Sequence, residues 1–322
     1  MFPWTDPAEP LRFDRFMAAA LHDPERGYYA RRIRGVGKPG DFTTTAAISP
    51  ALGRAVAHWA ADALRESSCR DLIELGPGEG TLASAIRRHL PWTLRLRTRL
   101  HLVESSVPLR EKQQALLGRH ARWHPTIASA LEACSGRAVI YSNEFADAFP
   151  VRRFRRRDDG WDEQFVLPDR DHWRPSRELP DSTQFDLRWP EGQAIEVHES
   201  YREWLEAFLP QWKCGRMLTI DYGARDSELY HRQPAGSLRA YFHQQAINGP
   251  EIWSRPGHQD ITADVNFSDL IRWAEPTTEM VELLPQEAFL RPFIDPGNPA
   301  DHFASDPSGS GGAFLCLDQR RR

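Results

Sequence analysis

Apolar residues in this chain switch between two spacings, and the switches mark out its elements. Leu11, Phe13, Phe16, Met17, Ala20 and Leu21 fall at helical spacing, as do Leu52, Val56, Trp59, Ala60 and Ala63, so two helices are expected before any strand. From residue 71 short apolar runs take over, at Leu72 to Leu75, Leu100 to Val103, Ala121 to His124, Ala138 to Ser142 and Arg216 to Ile220. Helical spacing returns between them, at Leu82, Ile86 and Leu90, over 109–117 and over 196–209. A last helix at 267–274 precedes two closing strands, 279–284 and 312–317. Strands alternating with helices and ending in a hairpin predict an open α/β sheet of seven strands, Rossmann-like in its first half.

Two stretches depart from this rhythm. Residues 151–155 and 161–166 alternate about Asp158-Asp159-Gly160, the signature of a β-hairpin, and its arginines read as one solvated strand face. Residues 168–190 are polar and proline-bearing and are expected to form an irregular insertion, while 224–267 shows little regular signal. The organisation expected is a helical cap with a covering loop over 1–66, then a sheet domain over 67–322 with insertions at about 151–195 and 224–267.

Composition adds mainly exclusions. A net charge of −4 with 27% charged residues argues against nonspecific nucleic-acid binding, although arginines cluster locally. No apolar run approaches the roughly 18 residues of a membrane span. The start, Met1-Phe2-Pro3-Trp4-Thr5-Asp6-Pro7, lacks a signal-peptide pattern and is too acidic for an organelle presequence. Cys69, Cys134, Cys214 and Cys316 are scattered, which reads as free thiols in a reducing compartment, and the cytoplasm is the expectation. His58, His101, His124 and His243 show no metal-ligand spacing, so no metal is expected. Nothing in the sequence fixes an oligomeric state.

Chemistry concentrates first at Asp71 to Ala83, where a strand pattern passes through three glycines into a helix. Glycines there let a ligand approach the backbone, and the helix start offers unpaired N–H groups. The dinucleotide fingerprint Gly-x-Gly-x-x-Gly/Ala fails from Gly76, where Thr81 takes the third place; from Gly78 it passes but leaves Glu74 and Gly76 unexplained. Read as Glu74-Leu75-Gly76-Pro77-Gly78-Glu79-Gly80, the stretch resembles the first motif of class I S-adenosylmethionine (SAM) methyltransferases. Glu104, 24 residues beyond Gly80 at the end of the second strand, stands where a carboxylate grips ribose hydroxyls in such folds, with Ser105 beside it.

Further motifs extend the likeness over almost the whole chain. Phe16 to Tyr29, Gly40-Asp41-Phe42-Thr43-Thr44, Glu104-Ser105-Ser106, Asn143-Glu144-Phe145-x-Asp147, Asp221-Tyr222-Gly223, Ser237-Leu238-Arg239-x-Tyr241 and Gln259-Asp260-Ile261-Thr262-Ala263 occur in the order found in the MidA-like methyltransferases, a family with a mitochondrial member that assists respiratory complex I assembly. The resemblance implies the class I SAM-methyltransferase fold, a mixed seven-stranded sheet with an N-terminal helical cap and an inserted hairpin. It also implies SAM as cofactor and an arginine side chain of a partner protein as acceptor. Departures lie at Ala46-Ala47, where the family carries an acid, and at Asp264 and Asn266, where it commonly has His and Asp.

On this basis Glu74, Gly76, Pro77, Gly78, Gly80, Glu104, Ser105, Asp41, Phe42 and Thr44 are the candidate SAM-binding residues. Asn143, Glu144, Asp147 and Asp260 are the candidate catalytic residues, since paired carboxylates suit a guanidinium that must shed a proton. Helix capping explains Asp147 as readily, and a hydrogen-bonded loop accounts for Asp260 and Asp264. A small-molecule methyltransferase and a non-catalytic SAM-binding assembly factor are the alternatives.

Overall fold

The computed structural model describes residues 9–31, 49–167, 170–231, 233–242 and 245–322. These residues divide into two compact units. One comprises 49–145, 205–222 and 271–322, and the other 9–31, 146–204 and 223–270.

In the first unit seven strands form one sheet: β1 (Asp71–Leu75), β2 (Arg99–Val103), β3 (Ala121–His124), β4 (Val139–Asn143), β5 (Arg216–Ala224), β6 (Thr278–Pro285) and β7 (Phe314–Arg321). Their spatial order is β6-β7-β5-β4-β1-β2-β3. Pairing from β5 to β3 is parallel, and β7 runs antiparallel to both β5 and β6. This is the layout of class I methyltransferases, as the sequence leads one to expect. β1 lies between β4 and β2 and is buried at all five positions, Asp71 and Glu74 included, because a strand flanked on both edges and covered on both faces has no solvated side.

Helix α1 (Pro50–Ser67) begins where Ser49 Oγ accepts the Ala51 N–H at 3.2 Å, with Pro50 in the first turn, and it stops at Ser68 in a left-handed conformation (φ 54°). Its apolar face packs Leu52, Val56, Ala60 and Ala63 into the core with Leu72, Leu82, Ile86 and Val139. Four more helices can be named here: α2 (Thr81–His89), α3 (Trp92–Arg95), α4 (Val107–Leu117) and α5 (Ile127–Ala133). Of these α3 and α5, four and seven residues long, are too short to show a clear apolar period in the sequence.

The other unit carries two antiparallel sheets. Its larger sheet orders Leu11–Arg12, Gly160–Val166, Arg152–Arg157 and Ala194–Val197, with Asp171–Pro175 added to Gly160–Val166. The hairpin read from the alternation is therefore present, and the segment expected to be irregular supplies a further strand. Residues 194–197 form a strand where helical spacing was read, and the helix runs only from Glu199 to Phe208. Val197 stands four positions before Tyr201, so the period alone does not mark the boundary. The second sheet, Gln245–Ile247, Arg239–Phe242 and Asp260–Thr262, joins the two compact motifs that lacked regular signal.

The arginines of the hairpin correct the sequence reading. Arg152 lies on the buried face beside Phe154, forked onto both oxygens of Glu163 (2.7 and 3.0 Å) and reaching Glu199 at 3.1 Å. Arg153 on the opposite face meets Glu196 at 3.0 Å. Carboxylates on neighbouring elements, invisible to a local pattern, carry this charge inside.

Candidate functional site

In the sheet unit, the chain leaves β1 at Leu75, turns through Gly76 to Gly80 and enters α2. Gly76 has φ +58°, and a Cβ there would sit 2.6 Å from the Phe145 ring, so both conformation and space demand glycine. The Gly76 N–H donates to the Val103 carbonyl at 3.2 Å, and Gly80 N–H donates to Pro77 at 2.8 Å. The turn is thereby fastened at both ends, with Pro77 buried and Gly78 partly open.

Glu104 stands at the end of the adjacent β2, with its oxygens accepting from Ser106 N–H at 2.7 Å and from Gln113 Nε2 at 3.3 Å. Gln113 also donates to the Gly78 carbonyl at 2.7 Å and accepts from Trp123 Nε1 at 3.0 Å. It thus ties the turn to the acid. The sequence reading missed Gln113, although a glutamine between Leu109 and Leu117 on a buried helical stripe is a visible anomaly. Burial pushes the Glu104 carboxyl up to about 7, against the hydrogen bonds that favour its charge. Ser105 is exposed beside it. Glu74 faces inward, where Tyr141 donates to it at 2.9 Å, and burial pushes its carboxyl up to about 8. Burial thus favours the neutral form of Glu74.

β4 ends at Asn143, and Glu144 follows in a left-handed conformation (φ 52°), a strained state for a glutamate. Its N–H donates to the Ile220 carbonyl at 3.0 Å, and its Oε1 accepts from Asn143 Nδ2 at 3.0 Å. Among the described residues the buried Asn143 Oδ1 has no hydrogen-bond partner. Asp221, fully buried in β5, accepts the Phe145 and Tyr222 N–H groups at 3.1 and 2.9 Å, which fixes the backbone just beyond Glu144. Such strain, held by flanking hydrogen bonds, is a feature of functional sites.

The structure thus gathers Glu74, the glycine turn, Glu104, Ser105, Asn143 and Glu144 in one unit. Asp147 and Asp260 belong to the other, where both are buried. Tyr29 donates to Asp260 Oδ1 at 2.9 Å, and the Asp147 carbonyl accepts the Ala263 N–H at 3.2 Å. Burial, reinforced by the charges of Asp260 and Asp147, raises the Tyr29 phenol well above its ordinary value. Asp264 pairs with Arg239 and takes the Arg239 charge inside. Asn266 caps the following helix through Ser268 N–H at 3.1 Å. Asp41, Phe42 and Thr44 lie outside the described residues. Among the described residues no group of three or more His, Cys, Asp or Glu is arranged to hold a metal, and no helix is long and apolar enough to cross a membrane.

The residues present fit SAM. A turn whose three glycines all take positive φ, followed by a helix start and an acid on the next strand, matches its amino acid and ribose ends, and no arginine or lysine awaits a pyrophosphate in the turn. Fold and turn together define a class I SAM-dependent methyltransferase. The family model described as "Putative S-adenosyl-L-methionine-dependent methyltransferase" matches residues 55–285, and the chain belongs to that family. Relatives include the protein arginine methyltransferase NDUFAF7, mitochondrial, of Rattus norvegicus, 26% identical over 88% of this chain and 70% of its own. The Danio rerio protein of the same name is 28% identical over 88% of this chain and 72% of its own. A Burkholderia thailandensis crystal structure bound to S-adenosyl-homocysteine superposes with TM-score 0.85 at 24% identity, covering 97% of this chain and 88% of that one. A second Burkholderia thailandensis structure gives 0.82 at 26%, covering 97% and 87%. The protein is accordingly a SAM-dependent methyltransferase. The cytoplasmic expectation is overturned, since these curated relatives are mitochondrial by name. Scattered reduced cysteines report a reducing interior and do not distinguish one such compartment from another.

Proposed function

We propose that this methyltransferase N-methylates an arginine side chain of a partner protein in a mitochondrial-type setting, of the respiratory-complex assembly kind implied by its motifs. The observation that carries this reading is the name protein arginine methyltransferase, borne by relatives that match across 88% of the chain. The acids at the end of β4 support it. The sulfonium of SAM supplies an electrophilic methyl carbon, and its transfer to a guanidinium nitrogen releases one proton. In this reading Gly76, Pro77, Gly78 and Gly80 cradle the cofactor. Glu104 and Ser105 take the ribose, and Glu74 braces the turn through Tyr141. Glu144, positioned by Asn143, pairs with the guanidinium and receives the proton, and Asp147 and Asp260 add negative charge for the cationic side chain.

Labelled SAM, incubated with the protein and a mitochondrial lysate, is expected to leave label in protein, recovered as methylarginine on hydrolysis. Label confined to the low-mass extract would sink the arginine reading and favour a small-molecule acceptor. No transfer despite SAM binding would favour a non-catalytic role.

SAM affinity is expected to depend on pH through Glu104. Its carboxyl titrates at about 7 in the free protein, and the ionised form is the better acceptor for two hydroxyls. Affinity should be flat above that value and fall about tenfold per unit below it. Calorimetric titration of SAM across the range checks this, and Glu104→Gln should bind weakly with no slope.

A further inference from the structure

The corner of the sheet unit formed by α2, α3 and β3 carries a surface that the methyltransferase reading does not use. Residues 80–103 contain Arg87, Arg88, Arg95, Arg97 and Arg99 and no acid, and 112–131 contain Lys112, Arg119 and Arg122 and no acid. Of the first group Arg99 is committed to Asp71, at 2.7 Å from Nε, and of the second Lys112 pairs with Glu79 at 2.9 Å. Arg87 reaches His120 Nδ1 at 2.9 Å, and Arg87, Arg95 and His120 meet around a small dimple of about 20 Å³ floored by Leu72, Ala83 and Ile86. The positive field is felt locally: Arg87, then slight burial, then Arg119 lower the pKa of His120. Arg87, Arg88 and His89 are explained in part by the C-terminal dipole of α2. Arg95, Arg97 and the apolar residues beside them are not.

Those apolar residues are Trp92 and Leu96, one turn apart, 68% and 76% exposed, while Leu94 between them packs against the core. An exposed Trp and Leu projecting together from a field of arginines is unusual on a water-facing surface. It is the chemistry of an interfacial anchor, in which the indole and the aliphatic side chain enter the headgroup layer and guanidinium groups meet lipid phosphates. We propose that this corner docks the protein on a membrane surface bearing anionic phospholipids. Nucleic acid is a poorer fit, because Leu96 contributes nothing to a phosphate backbone and a single indole is no stacking platform.

Flotation with phosphatidylcholine vesicles, with and without phosphatidylglycerol, tests this on the full chain. Binding is expected only to the anionic vesicles, and added salt should weaken it. Each arginine at such a surface contributes about fivefold to partitioning, so joint Arg95→Glu and Arg97→Glu should lower it by at least about twentyfold. Trp92→Ser with Leu96→Ser should also lower it and leave the residual binding fully reversible by salt. Melting temperature and S-adenosyl-homocysteine binding of both variants should match the parent, since all four side chains are exposed. Absence of flotation, equal flotation on neutral vesicles, or indifference to both substitutions overturns the proposal. So does retention on polyglutamate or RNA without retention on vesicles.

Discussion

Glu144→Gln is expected to lower methyl transfer by about 10²- to 10⁴-fold while S-adenosyl-homocysteine binding stays within a few-fold of the parent. The substitution keeps the oxygen that accepts from Asn143 Nδ2, so the loop keeps its local hydrogen bond. It removes the negative charge and the basic site, both of which a guanidinium acceptor needs as it loses a proton. Glu144→Gly separates the carboxylate from the backbone. Relief of the left-handed conformation, about 1 kcal/mol, roughly offsets the added freedom of glycine in the unfolded chain. That variant should therefore melt within a few degrees of the parent and still be inactive. Turnover of Glu144→Gln within threefold of the parent would remove Glu144 from the mechanism and shift the burden to Asp147 and Asp260.

The parts of the site that sequence made legible are those whose chemistry is local. Glycines at Gly76, Gly78 and Gly80 are demanded by backbone conformation within the turn itself. Glu104 follows from the length of one strand–helix–strand unit. The central sheet was readable for the same reason, since each parallel strand is a short apolar run set off by helical spacing. What escaped was set by partners distant in sequence. Gln113 matters because Gly78, Glu104 and Trp123 converge on it, and Asp264 is held by Arg239 from a strand earlier in the chain. The two motifs around Arg239 and Asp260 read as irregular because each is a strand of three or four residues, too short to show a period and defined by its cross-strand pairing.

Arg152→Ala is expected to destabilise the unit that contains it by about 3–5 kcal/mol, lowering its melting temperature by roughly 10 °C. The guanidinium is buried between Glu163 and Glu199 and also donates to the Glu178 carbonyl at 3.1 Å. Removing it leaves Glu163 with the longer contact to Arg12 at 3.8 Å and Glu199 with that to Arg202 at 3.6 Å. Arg152→Lys should recover little, since a point charge cannot fork onto both Glu163 oxygens while also reaching Glu199. Arg152→Met combined with Glu163→Met should recover part of the loss, because paired removal leaves fewer unmatched buried charges. Arg157→Ala, five residues along the same strand, is the control. Its guanidinium is 49% exposed and its contact with Asp162 at 3.1 Å is solvated, so a change under about 0.5 kcal/mol is expected. A hairpin with one solvated arginine face would respond equally weakly at both positions. Thermal melts of Arg152→Ala and Arg157→Ala under one buffer decide between that picture and a strand whose first arginine is an interior cross-link.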